Sequence, residues 1–527
     1  MRFDFWNNPL VVTAFRIKQR KGGLMLTPPI YMLVLCAAGA LLEYYHPQHG
    51  FLSAEPVQKV FLIGILSLQF VISPALAAIA TASSMRTEVA NRTLDFQRIA
   101  ALSPRQILLG KLLGEPALAY LLILATVPFT AWCWARGVNG LGSGFDRSGT
   151  TEYLLIYLLL CCTTLLFGTA GLQHRLEITE GQLAARGASG GPIWVWIMLS
   201  VWASVGHAAR GLPTSPWYAV PAAILSPVLP VAGLGQDDPW LFTMPFFQWR
   251  VPYLVLTPLV QLFVAFLCFE CMARRLINPL NTVLPRGWAY VALILADVIC
   301  AGAVYDPTEE GFMSIAAAFW LVHILVALEI LTGTTAWKES LHSWVWRYRG
   351  RGRRWRDLLL GRRSENTAVL AAYCVIGLAV FLLGVVLPAR NRHIVYPDVA
   401  AVAAVAIAAL LFFGTVLQWT TFFAGRYGSG LMFGLVAILI VAPHLAGLYY
   451  ENEWLLSVSL SAHFAAWLLP GSAGSSRMVL HVWPVLTVLI ALLALVTWHF
   501  RRSLGRLEHS VDRYLERMQV PEAMRAR

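Results

Sequence analysis

Charge is what this sequence has least of. Asp, Glu, Lys and Arg make up 13% of its 527 residues, against about 25% in an ordinary soluble domain. Acidic residues are the scarcer kind, 28 against 40 basic. That shortage excludes a chain of several soluble domains, each with a solvated charged surface. Cysteine is sparse as well. Cys36, Cys133, Cys161, Cys162, Cys268, Cys271, Cys300 and Cys374 all lie in or beside apolar runs, none in a ligand pattern with histidine. Cys268 and Cys271 form a C-x-x-C, but on a helix running into Arg274 and Arg275 that spacing reads as packing. No structural disulfide and no zinc are expected. The sequence has no G-x-x-x-x-G-K-[ST] loop and no glycine-rich turn after a strand, so the chain itself is not expected to bind or hydrolyse ATP. Met1 to Lys21 is amphipathic and basic with no small-residue cleavage site, which reads as an uncleaved N-terminus.

What is present is apolar. Hydrophobic residues reach 58%, mean hydropathy is +0.63 and there are 20 Trp. Repeated runs near the length of a bilayer crossing define an all-α polytopic membrane protein. We read twelve spans, at roughly 27–45, 57–82, 106–135, 151–173, 193–209 and 251–273, then 288–305, 312–336, 367–388, 397–424, 430–449 and 479–500. With the N-terminus inside, only Lys59, Arg136, Arg147, Arg210, Arg250, Arg390, Arg392 and Arg477 of the 40 basic residues fall outside or at span edges. The positive-inside rule then puts both termini in the cytoplasm of a cell membrane, inner or plasma.

The two halves read as copies of one six-span unit, residues 1–275 and 276–500. Asn8-Pro9-Leu10 opens the first and Asn278-Pro279-Leu280 the second. RQILLGK at Arg105–Lys111 aligns with RDLLLGR at Arg356–Arg362. A Pro-, Gly- and Trp-rich outer segment precedes the last span of each, at Gly211–Gln248 and Glu451–Arg477. Their common order points to a parallel internal repeat. Residues 501–527 place Leu504, Leu507, Val511, Leu515 and Met518 on one face, the pattern of an amphipathic cytoplasmic helix.

The stretch Met85–Glu115, MRTEVANRTLDFQRIAALSPRQILLGKLLGE, interrupts the apolar runs of the first half. Glu88–Ala100 reads as an amphipathic helix, with Val89, Leu94, Phe96 and Ile99 among Arg92, Asp95 and Arg98. After a break at Leu102, Ser103, Pro104 and Gln106 form a capping box with proline at the first helical position, and that helix is expected to run on into the third span. Two readings stand for the 83–106 loop: a helix lying in the headgroups with snorkelled arginines, or one that passes a push from a soluble partner to the spans.

The whole pattern resembles the ABC type-2 permease family, the membrane subunits of ATP-driven exporters. The resemblance rests on Glu88 and on RTLDFQRIAALSPRQILLGKLLGE from Arg92 to Glu115, supported by the N-terminal helix and the six-span unit. Arg92 stands where the family has a glycine. The resemblance implies a coupling helix that docks on a separate ATPase, carried by Glu88, Arg92, Thr93, Leu94, Asp95, Phe96, Arg98, Leu102 and Ser103. It further implies two copies of that ATPase, which would bind ATP and Mg, with no cofactor in this chain. The second-half loop 338–366 departs from the pattern: it has Glu339 but no Leu-Ser-Pro. Its Trp344, Arg347 and Arg356 belong to a basic, Trp-rich stretch suited to lipid headgroups or to an acidic groove, and not to nucleic acid.

Ionisable residues inside spans are candidates for a transport path. They are Asp297, His323 and Glu329, with His444 further on. Each has two readings, an interhelical hydrogen bond or a path-lining or proton-relay group. Glu115 and Glu270, near span ends, read as solvated or paired with nearby Arg. Two alternatives to an exporter subunit follow: an ion-coupled secondary transporter using Asp297, His323 or Glu329, and a membrane-embedded transferase using outer carboxylates such as Asp237, Asp238, Asp306, Glu309, Glu310, Glu451 and Glu453. The cargo is not legible.

Overall fold

The computed structural model describes residues 8–20, 22–45, 57–91, 93, 102–135, 147–179, 243–246, 249–277, 282, 284–304, 312–335, 359–360, 366–387, 396–420 and 482–517. Those residues are overwhelmingly helical. In chain order they form α1 (Pro9–Arg20), α2 (Gly23–Tyr45), α3 (Val57–Ala90), α4 (Pro104–Gly114), α5 (Ala117–Ala135), α6 (Arg147–Thr179) and α7 (Tyr253–Ile277). There follow α8 (Arg286–Val304), α9 (Phe312–Thr334), α10 (Thr367–Phe381), α11 (Tyr396–Trp419) and α12 (Val482–Arg517). Helix α10 continues through one π-turn, Leu382–Val386. A short antiparallel hairpin, β1 (Thr243–Phe246) and β2 (Trp249–Pro252), precedes α7.

Among the described residues, eight helices are long and apolar enough to cross a membrane: Gly23–Tyr44, Val60–Glu88, Ala117–Ala135, Tyr153–Leu172, Leu254–Leu276, Thr367–Val386, Val399–Trp419 and Trp483–Arg506. Ile315–Leu331 is a shorter apolar segment. The expected spans 193–209 and 430–449 lie outside the described residues. Helices α1–α7 form one compact unit, and α8–α12 with Pro245–Trp249 form another.

In the first unit α3 packs along α6, and α6 along α7. Leu62, Leu66 and Phe70 of α3 meet Ile156, Leu159 and Leu160 of α6 in a cluster that also holds Ile123, Trp134 and Leu254. Lipid tails are as apolar as leucine, so this association rests on close packing and interhelical hydrogen bonds. Both are visible. Gly171 sits so near α3 that a Cβ there would fall 2.4 Å from the Ala78 carbonyl oxygen. The Thr81 hydroxyl donates to the Gly168 carbonyl at 2.9 Å, and the Thr163 hydroxyl donates to Gln261 Oε1 at 3.0 Å.

In the second unit α8, α9, α10 and α11 share a buried polar knot. Asn366, which precedes α10, donates through Nδ2 to Thr335 Oγ1 at 3.1 Å, and its backbone N–H reaches Gln418 Oε1 at 3.3 Å. Arg286 donates to Asn366 Oδ1. One asparagine at the start of α10 thus ties that end to the ends of α8, α9 and α11.

Three boundaries differ from the sequence reading. The polar residues 83–90 continue α3, so Glu88 and Val89 end a long helix instead of opening a separate one. The expected third span is two helices: α4 ends at Gly114, and α5 begins at Ala117. Pro116 has no N–H to donate, so the ladder breaks there although Glu115 N–H still reaches Lys111 O at 3.0 Å. The last span and the expected C-terminal surface helix are one uninterrupted helix through Arg517. No proline separates them, and the single Gly505 weakens a helix without ending it.

Candidate functional site

The site begins with local capping. Ser103 Oγ accepts the Gln106 N–H at 3.3 Å, and Gln106 Oε1 accepts the Ser103 N–H at 2.9 Å, the reciprocal box expected from the spacing. Asn8 does the same work for α1, its Oδ1 accepting the Leu10 N–H at 3.0 Å. Its Nδ2 then donates to the Gln106 carbonyl at 2.8 Å, joining the starts of α1 and α4.

The two helices lie in contact because α4 presents glycine at two positions four apart. A Cβ on Gly110 would stand 2.6 Å from Leu10 Cβ, and one on Gly114 would stand 2.8 Å from Ala14 Cβ. This small-residue stripe lets α1 seat Val11 and Ala14 in the interface, where both are buried.

Charges then lock the assembly. Lys18 of α1 lies 3.3 Å from Glu115 Oε2 and donates to the Gly114 carbonyl at 3.2 Å. Ser84 of α3 donates to the other Glu115 oxygen at 2.9 Å. Burial holds the Lys18 ammonium below its ordinary pKa, while the Glu115 carboxylate pulls it back up. Lys111 of α4, with a side chain 3% exposed, pairs with Glu88 of α3. Arg105 pairs with Glu270 of α7 at 3.0 Å. Beneath these pairs Met85, Ile107, Leu108, Leu112, Leu172 and Met272 form a second apolar cluster, with Leu102 packed against it. One end of α3, all of α4 and one face of α1 are therefore a single braced block.

Of the candidate coupling residues, Glu88, Leu102 and Ser103 belong to this block. The exposed Thr93 donates to the Glu88 carbonyl at 3.1 Å. Arg92, Leu94, Asp95, Phe96 and Arg98 lie outside the described residues, as do Glu339, Trp344, Arg347 and Arg356. Sequence reasoning missed Lys18, Lys111, Gly110 and Gly114. The four-residue spacing of the glycines was the available signal. Glu270 does pair with an arginine; Glu115 takes a lysine instead.

A second candidate centre lies inside the second unit. His323 Nδ1 of α9 is 2.9 and 3.0 Å from the two oxygens of Asp297 on α8. Both residues are buried, at 0% and 1% exposure. The imidazole stacks on Phe319 at 6.2 Å between centroids and meets Trp320 edge-on. Its far side lies against Gly377 of α10, where a Cβ would come within 2.6 Å of Nε2. That Nε2 is buried with no hydrogen-bond partner among the described residues. Glu329, six residues along α9, is only half-buried. Among the described residues, no three His, Cys, Asp or Glu side chains are grouped as metal ligands.

Packing and composition together define a helical polytopic membrane protein. No protein-family model, no curated protein and no solved structure is matched by the chain.

Proposed function

We propose that this chain is the transmembrane subunit of an ATP-driven exporter, moving its substrate by alternating access. The energy would come from a separate nucleotide-binding ATPase, two copies for the two six-span units. One observation carries the reading: the segment between Asn91 and Leu102, where the family resemblance is strongest, is bracketed by anchors. On one side Glu88 is paired with Lys111, and on the other Ser103 caps α4. A force applied between them would reach α3, α4 and α1 together, because close-packed helices tied by partly buried ion pairs shift as bodies and do not deform smoothly. In this reading the loop faces the cytoplasm, and so do both termini.

The test is copurification in mild detergent. The full chain should retain a phosphate-loop ATPase, and Leu94→Asp or Phe96→Asp should release it or uncouple transport while membrane insertion stays intact. Retention of ATPase and transport in both variants would sink the assignment.

A second reading, an ion-coupled secondary transporter, is favoured by the buried Asp297–His323 pair. A carboxylate and an imidazole buried among apolar helices are costly unless used or fully paired, and Nε2 has no partner among the described residues. Transport that follows a proton gradient, needs no ATPase and fails in Asp297→Asn would select it over the first.

A further inference from the structure

Asparagine is a favoured residue before a helix because its side-chain oxygen can accept a first-turn N–H. Asn366 stands in that place before α10 and leaves the work undone. No side chain caps the helix, and the Asn366 backbone, at φ −96° and ψ 13°, is not in the extended form that capping uses. Its side chain is engaged elsewhere, Oδ1 by Arg286 and Nδ2 by Thr335. The N–H groups of Thr367, Ala368 and Val369 lack an intrahelical acceptor by their position, and they meet none among the described residues. At the start of α4 the Ser103 box closes the equivalent opening.

A second side chain points to a ligand at the same place. Gln418 of α11 is 0% exposed, and its Oε1 accepts the Asn366 N–H at 3.3 Å, which holds the amide against the start of α10. Its Nε2 has no partner among the described residues, so a buried donor is left unmet. Arg286, 4% exposed, brings its guanidinium to the same asparagine. The unmet groups are donors, and the helix start adds a positive potential of its own. That pattern calls for an oxyanion and turns away a cation. A phosphate supplies several acceptor oxygens, and helix N-termini and arginine forks are its usual holders. Thr367 is exposed, which leaves the helix start open to a ligand. We propose that the start of α10 binds a phosphate group, free or at the head of a phospholipid, through its first-turn N–H groups and Gln418 Nε2, with Arg286 supplying the opposite charge. This site does not depend on whether an ATPase docks on the first unit.

Two measurements on the full chain test the proposal. Equilibrium dialysis in neutral detergent against radiolabelled inorganic phosphate, at constant ionic strength in chloride, reads the free anion. Native mass spectrometry after release from nanodiscs of phosphatidylglycerol reads the lipid, with and without excess inorganic phosphate. The wild type should bind in at least one of the two. Gln418→Leu should lower that affinity at least about ten-fold, the factor for one hydrogen bond to a charged group. Thr367→Asp changes an exposed residue and should lower it as well, because its carboxylate takes the place of the anion at the helix start. It keeps the test open if Gln418→Leu does not yield a monodisperse protein. Bound inorganic phosphate with no displaceable lipid assigns the site to the free anion, and lipid that inorganic phosphate displaces assigns it to a headgroup. Binding of neither by the wild type, or unchanged binding in the variants, would overturn the site.

Discussion

The braced end of the first unit and the middle of the second solve the same problem differently. At the α1–α4 block, ion pairs sit where one partner still reaches solvent: Glu88 is 22% exposed opposite the buried Lys111, and Lys18 and Glu115 are each about a quarter exposed. At Asp297–His323 neither partner reaches solvent. A pair with one partner open to water loses less when broken, because water replaces part of what the exposed group loses, although a buried partner such as Lys111 keeps its desolvation penalty. A fully buried pair has no substitute, and the orphan keeps its whole desolvation penalty. The first arrangement holds α1, α3 and α4 together as one block while leaving the acidic partners partly open to water. The second suits a fixed joint, or a site whose occupancy by a proton is itself the signal.

The largest expected effect breaks the buried side of that contrast. His323→Ala should destabilise the protein by about 3–5 kcal/mol, the usual cost of stranding one member of a buried pair, read as a lowered melting temperature in detergent. Asp297→Ala with His323→Ala should recover part of that loss, since no orphan remains. If the double variant is no better than the single one, the pair is not a coupled unit.

Next comes the glycine stripe. Gly110→Leu and Gly114→Leu should each cost about 1–3 kcal/mol, the range for forcing extra volume into a close-packed contact. The loss should show as protease sensitivity of the α1 segment while α3 and α6 stay protected. Equal sensitivity throughout the first unit would mean α1 is not a separately detachable piece.

Glu88→Gln should cost about 1–3 kcal/mol, because it leaves the Lys111 ammonium buried with a weaker partner, and Lys111→Met on the same background should return most of it. The smallest effect belongs to Arg105→Ala. Its side chain is 62% exposed in the pair with Glu270, and exposed pairs contribute about 0–1 kcal/mol. A loss as large as that of Glu88→Gln would erase the distinction between exposed and buried partners.

Much of the block was legible one residue at a time. The capping box at Ser103–Gln106 and the Asn8 cap follow from side-chain reach along the chain, so short patterns suffice to predict them. The Glu88–Lys111 pair was not, because the two residues meet only after α3 and α4 are laid side by side. The continuation of α3 through Ala90 was misjudged for a related reason. Met85 is buried against α4, α6 and α7 in the second apolar cluster, and that tertiary contact carries a polar stretch onward as helix where local polarity suggested an ending. Asp297 and His323 were each visible as misplaced charges, but their partnership depends on how α8 crosses α9.

By itself the sequence determined that this is a helical membrane protein and where most of its spans run, since hydropathy and length are properties of consecutive residues and the bilayer admits few backbone solutions. It also settled where α1 and α4 begin, through caps whose partners lie within three residues. Only the tertiary structure decided that α1 clasps α4 through Gly110 and Gly114, that Lys18 answers Glu115, and that His323 faces Asp297. Those contacts join residues from 26 to 100 positions apart. Helix crossings choose such partners, and no periodicity along a single helix encodes a crossing.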